Sequence, residues 1–269
     1  FDNVQPNDHL ATFHLPVEGQ GGTDVFGKII PVRKPCELKV LCGENVNVDA
    51  ASNRYFAATY GYISWDRGKI AVLGVYAVGG DLDLSKGNVR FIGRVEIGRD
   101  VRDDFEVRAE RGIAIGGTAE SCVLISGKEV VIQGGMTGKG KGRIEAKEGV
   151  TARFLDGVEV VCGGDVLVQK EIVNSRVHTL GRVIVRDGTI VGGEVVALKG
   201  ILTCEAGSAL GVKTRLIAGL DFHVHEKLLV VNKELLRVRQ RQQDLLNRVG
   251  PLLQKALRMS VVDNRLRGE

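Results

Sequence analysis

No apolar run in this 269-residue chain approaches the roughly 18 residues that a bilayer-spanning helix needs, and no secretory n-region or h-region opens it. Direct membrane insertion is therefore not expected. No C-x-x-C pair occurs among the five cysteines, Cys36, Cys42, Cys122, Cys162 and Cys204. Their number is odd, and three sit in strand-like apolar runs where a free thiol serves as a small hydrophobe, which fits a reducing cytoplasm. A strong charge imbalance is missing too: 37 basic and 33 acidic residues leave a net charge of +4, too little to call for nucleic acid. Glycine is abundant, 36 residues, yet without the third-residue period of collagen. The glycine-dense stretch Glu18 to Gly27 lacks the Lys-Ser/Thr ending of a Walker loop and the strand-then-helix context of a dinucleotide fingerprint, so it reads as a loop without ligand. The chain opens on Phe1 rather than Met, as a fragment or a processed product does.

What is present is a repeat. Val95, Ile113, Val130, Val150, Val166, Val183 and Ile201 follow one another at 18, 17, 20, 16, 17 and 18 residues. Two further apolar registers run in parallel: Val101, Ala119, Met136, Phe154, Ile172, Ile190, and Val107, Ile125, Ile144, Val160, Val177, Val195. A unit with three anchors about six residues apart cannot bury its apolar face alone and must stack on its neighbours. Apolar and polar residues alternate within each short run, turning one set inward and the other to water. Gly116-Gly117, Gly134-Gly135, Gly163-Gly164 and Gly192-Gly193 fall between runs, where the backbone turns a corner. The expected fold is mainly β: a parallel β-helix of about 18 residues per coil and triangular section.

Three segments follow. Residues 1–77 form a small N-terminal β-domain, with extended runs Glu37 to Leu41, Tyr55 to Thr59 and Lys69 to Leu73 between turn residues. Residues 78–220 form the β-helix. Residues 221–269 are helical: Leu228, Val231, Leu235, Val238, Gln242, Leu245, Val249, Leu252, Ala256 and Met259 alternate by three and four, a heptad seam with one polar member. Gly250-Pro251 kinks this helix or ends it, with Pro251 starting a second helix of a hairpin. Leu229, Leu236, Leu246 and Leu253 widen the apolar face, so the helix has more than one partner surface. The seam points to a homo-oligomer, although an intramolecular hairpin uses the same residues.

The runs Gly80 to Gly98, Gly134 to Ile144, Ile190 to Gly193 and Gly211 to Thr214, with Thr23 to Pro31 upstream, resemble the flagellar assembly protein A family over nearly the whole chain. The resemblance implies a right-handed parallel β-helix between an N-terminal β-region and a C-terminal coiled-coil hairpin. It implies no established catalytic residues, no cofactor, and a cytoplasmic role in assembling or positioning flagellar or polar machinery through protein contacts. Relative to that pattern the chain is short at both ends.

Chemistry is sparse. His178, the one histidine of the repeat, follows the interior Val177 and so points outward, where a β-helix transferase would hold its base; the wandering coil lengths disfavour the strict hexapeptide enzymes of that kind, and a solvated surface histidine is the plainer reading. Positions following the second register provide no carboxylate pair for glycan cleavage. His223 and His225 would share a face in an extended segment, half of a metal site without further ligands beyond Glu226, and no metal is assigned. Thr137 to Arg143 is a basic corner in which Lys139, Lys141 and Arg143 would bind an anion or acidic partner, or form a bare surface turn. Leu155, Val173 and Val191 follow the second register on successive coils and form either an exposed apolar contact stripe or the filling of a corner. The leading reading is a non-enzymatic scaffold acting through protein contacts; the alternatives are a β-helical regulator of a cell-division-type ATPase and a transferase using His178.

Overall fold

A computed structural model describes residues 3–32 and 40–266, with the side chains of the C-terminal helix described as far as Leu252. Cys36 and most of the run Glu37 to Leu41 lie outside the described residues. The chain divides into two compact units, Phe1–Gly219 and Leu220–Glu269.

The first unit is a β-solenoid of about eight coils led in by a small β-region. Its strands pair in parallel with the strand one coil above and below, and they form three faces. On the first face Tyr76, Val95, Ile113, Val130, Val150, Val166, Val183 and Ile201 stand in one register column, as the repeat predicts. Val95 through Val183 in this column are fully buried. Stacking β-branched side chains every ~4.8 Å along the axis fills the interior, while each strand keeps its ladder hydrogen bonds. The first and third faces meet at a narrow corner lined by Phe91, Ala109, Ser126, Ala146, Cys162, Thr179 and Ala197. Beyond Phe91 of the first coil the side chains there are small, and Cys162 is one of them: its Sγ donates to the Gly164 carbonyl at 3.1 Å.

The other two columns depart from the expected registers at one coil each. On the second face Met136, Leu155, Ile172 and Ile190 are partners, so Leu155 rather than Phe154 faces inward. On the third face Val107 pairs with Leu124 and Leu124 with Ile144, so Leu124 replaces Ile125. The cause is the same in both. Ala152 to Leu155 spans one residue fewer than Ile132 to Met136, and Ala119 to Leu124 one fewer than Val101 to Val107, so the shorter corner inverts which side chains turn inward. Phe154 is half-buried outside, over Gly135, whose φ of 97° a side chain would resist.

The coils are tied at their corners by a recurrent side-chain device. Asn88, Asp100, Asp103 and Asp165 each accept, through a side-chain oxygen, the backbone N–H of the residue one coil on: Glu106 at 2.9 Å, Thr118 at 2.7 Å, Ser121 at 2.9 Å and Arg182 at 2.7 Å. Corners break the strand ladder, and these oxygens satisfy donors that would otherwise lose their partners.

Before the solenoid, a four-stranded sheet and a three-stranded sheet enclose a small core of Val4, Ala57 and Val72. Tyr62 of this region packs edge-to-face on Tyr76 and Phe91 of the first coils, with ring centroids 5.8 Å apart in each pair. Asp24 Oδ1 accepts the N–H groups of Phe26 and Lys28 at 2.9 and 2.8 Å, so the glycine-dense stretch ends in a hairpin turn.

The second unit is one helix, α1 (Phe222–Leu266), that carries Pro251 inside it. The hairpin alternative is corrected: Gly250-Pro251 does not end the helix. Asp221 caps α1, its Oδ1 accepting the N–H groups of His223 at 3.0 Å and Val224 at 3.1 Å. Among the described residues no helix is long and apolar enough to cross a membrane.

Candidate functional site

The outward columns of the solenoid carry its chemistry. On the third face Arg143, Glu159, Arg176, Glu194 and Arg215 stand opposite one another on successive coils. Glu159 pairs with Arg143 at 3.4 Å and Arg176 at 3.7 Å, and Glu194 with Arg215 at 3.0 Å. His178 Nε2 lies 3.2 Å from Glu194 Oε1. The histidine is thus part of this charge ladder, and its partner is the carboxylate that also holds Arg215. On the second face Arg102 bridges Asp81 at 3.1 Å and Glu120 at 3.0 Å in the same manner. These ladders leave no local signal in the sequence; their signal is the sign of charge read down each column, which requires the register first.

The basic corner is an extension of the coil between Thr137 and Gly142, where the pairing with the next strand is interrupted. Lys139 takes a positive φ of 49° there and reaches back to Asp103 at 2.7 Å. That ammonium, with the Ser121 N–H, holds the Asp103 carboxyl below its usual range, and Asp103 raises Lys139 in turn. Arg143 is bound to Glu145 at 2.6 Å as well as to Glu159. The corner therefore does not present three unpaired cations; Lys141 alone has no carboxylate partner among the described residues.

The expected stripe of Leu155, Val173 and Val191 is not one surface. Leu155 is fully buried, while Val173 and Val191 are half-buried beside one another on the second face. An outward apolar column does exist, on the first face: Ala114, Val131, Thr151, Leu167, Ile184 and Leu202 are register partners on six successive coils. Ala114 through Ile184 are half-buried and Leu202 is 66% exposed. Beside it, two positions further along each coil, run Gln133, Arg153, Gln169 and Arg186, all exposed.

In the helical unit, Leu228, Val231, Leu235, Val238, Leu245, Val249 and Leu252 are all exposed, at 43% or more. Ala256 and Met259 lie beyond the described side chains. His223 and His225 are in the first turn of α1 rather than in an extended segment. Two residues on a helix are about 200° apart, so the two rings do not share a face. Among the described residues no cluster of three or more His, Cys, Asp or Glu side chains is placed to hold a metal ion. Of the described cysteines, Cys122 and Cys162 are buried and Cys42 and Cys204 exposed, all free. Burial, helped by nearby Asp103, pushes the Cys122 thiol up to about 12.

Comparison with the curated proteins and with the solved structures finds no match. Comparison with protein families finds two matches of one origin. The flagellar assembly protein A N-terminal region matches residues 1–68, and the flagellar assembly protein A beta solenoid domain matches residues 74–265. Together they span the β-region, all the coils and nearly all of α1, and the chain belongs to the flagellar assembly protein A family.

Proposed function

We propose that the chain is a non-enzymatic scaffold of flagellar assembly or polar organisation that works in the cytoplasm by protein contact. The solenoid is its stiff part, and α1 self-associates through the seam Leu228, Val231, Leu235, Val238, Leu245, Val249 and Leu252. The observation that carries this reading is the pairing of the family match with that seam, a heptad row exposed along its described length. Residues 1–77, 78–220 and 221–269 act as base, rod and coupling arm. His178 favours this reading over a transferase, because its ring is held against Glu194 in a surface ladder.

The test is genetic. Deleting the gene in its source organism is expected to reduce or misplace flagella, with restoration by the wild-type gene and not by a gene carrying Leu235→Glu and Leu245→Glu. Unchanged flagellar number, position and swimming in the deletion strain would contradict the proposal.

A further inference from the structure

The first face has a cross-coil pair like those of the other two, Arg94 to Glu129 at 2.8 Å, but one border of its apolar column is arranged differently. Its apolar column has no charged member from Ala114 to Leu202. The neighbouring rank, Gln133, Arg153, Gln169 and Arg186, has no carboxylate. With Lys170 it lines an open groove of about 830 Å³, whose carboxylates, Glu171 and Asp187, begin further along the coil. On the second and third faces the arginines named above are neutralised across coils; Arg153, Lys170 and Arg186 form no ion pair among the described residues. An apolar row bordered on one side by unneutralised cations marks a contact with a partner of opposite charge.

The geometry points to an acidic amphipathic helix of a partner protein, lying along the solenoid axis on Val131, Thr151, Leu167, Ile184 and Leu202 with carboxylates facing Arg153, Lys170 and Arg186. This deepens the contact reading and rests on it. Coils repeat every ~4.8 Å and a helix advances ~5.4 Å per turn, so one apolar residue per turn meets one coil. The mismatch reaches only about 2 Å over four coils, and a helix of about 15 residues covers the row. A groove-bound helix is read by anchors at this spacing. A second copy's α1 is a poor occupant by charge. Between residues 222 and 252 it carries Lys227, Lys233, Arg237, Arg239, Arg241 and Arg248 against Glu226, Glu234 and Asp244.

The test uses the full chain and two synthetic helical peptides with leucine once per turn, one flanked by glutamates and the other by lysines. Fluorescence anisotropy is expected to show micromolar binding of the glutamate peptide and at least tenfold weaker binding of the lysine peptide. Leu167→Thr with Ile184→Thr should weaken the glutamate peptide at least tenfold. Arg153→Glu with Arg186→Glu should reverse the preference between the peptides, a gain that misfolding cannot mimic. Equal binding of the two peptides, or an unchanged preference in the arginine variant, overturns the inference. So does a change in the chain's own sedimentation caused by the threonine variant, which assigns the row to a second copy. Normal flagellation with Arg153→Glu and Arg186→Glu, beside lost flagellation with the seam variant, overturns this inference alone. Normal flagellation in the deletion strain overturns the contact function itself.

Discussion

Asp100 holds Thr118, its counterpart one coil later, by two bonds to one oxygen: Oδ1 accepts the Thr118 backbone N–H at 2.7 Å and the Thr118 hydroxyl at 2.9 Å. The two residues stand at a corner where Gly116 and Gly117 turn the chain, and the carboxylate supplies an acceptor for a donor that the ladder leaves. These two bonds, the backbone one first, hold the Asp100 carboxyl below its usual value.

Replacing Asp100 with Ala is expected to cost about 0.5–1.5 kcal/mol, the range for a hydrogen bond at an exposed corner where water can take the acceptor's place, read as a lower midpoint in urea. The sign of the pH dependence follows from the lowered value. The bond's stability is present above the ordinary carboxylate value of 3.8 and is lost as pH falls through the lower folded value. The variant should therefore lose less stability than the wild type on acidification.

The two buried thiols should be silent. At pH 8, alkylation mapped by mass spectrometry is expected at Cys42 and Cys204 within minutes, and at Cys122 and Cys162 only after denaturant is added. Since the Cys122 thiol rises from 9.0 to about 12 on folding, its contribution is complete below pH 9 and is lost as pH climbs from there toward 12. At pH 10.5 the wild type should lose on the order of 2 kcal/mol more than Cys122→Ala does, measured as the change from pH 8.

A substitution at a close-approach glycine should be far more damaging than one in the charge ladder. A Cβ at Gly127 would strike the Glu110 carbonyl of the preceding coil, so Gly127→Ala should cost about 1–3 kcal/mol or more by overpacking. Glu159→Gln breaks pairs to Arg143 and Arg176 whose side chains are 46% and 61% exposed, and it should change stability by less than about 1 kcal/mol. Thermal melts of both variants check the contrast.

The columns were legible to the extent that corners had constant length. Val95 to Ile201 are read correctly from spacing, because the first face keeps its residue alternation in every coil. The same spacing turns Phe154 and Ile125 inward, whereas in the structure Leu155 and Leu124 take those places, because each follows a corner one residue short, and parity is lost when a single residue is removed. That slip placed the apolar row on the second face through Leu155. The true row, Val131 to Leu202, needed the registers of the first face to be read down rather than along the chain. The cross-coil ion pairs of Lys139 and Arg143 are hidden for a related reason: Asp103 and Glu159 are 36 and 16 residues away, and only the coil pitch brings them together, whereas Glu145 lies two residues from Arg143 on the same strand face. The helix is legible from its heptads; of the two readings of Gly250-Pro251, a kink or an end, the end is excluded, because a single lost backbone bond leaves the rest of the ladder intact.

Self-association through α1 is the claim on which the scaffold account stands. Light scattering of the full 29.0 kDa chain, with and without Leu235→Glu and Leu245→Glu, tests it directly. The account predicts a mass of two or more chains for the wild type at micromolar concentration and of one chain for the variant. A wild-type chain that stays at 29.0 kDa across that range, or a variant that keeps the wild-type mass, would contradict it.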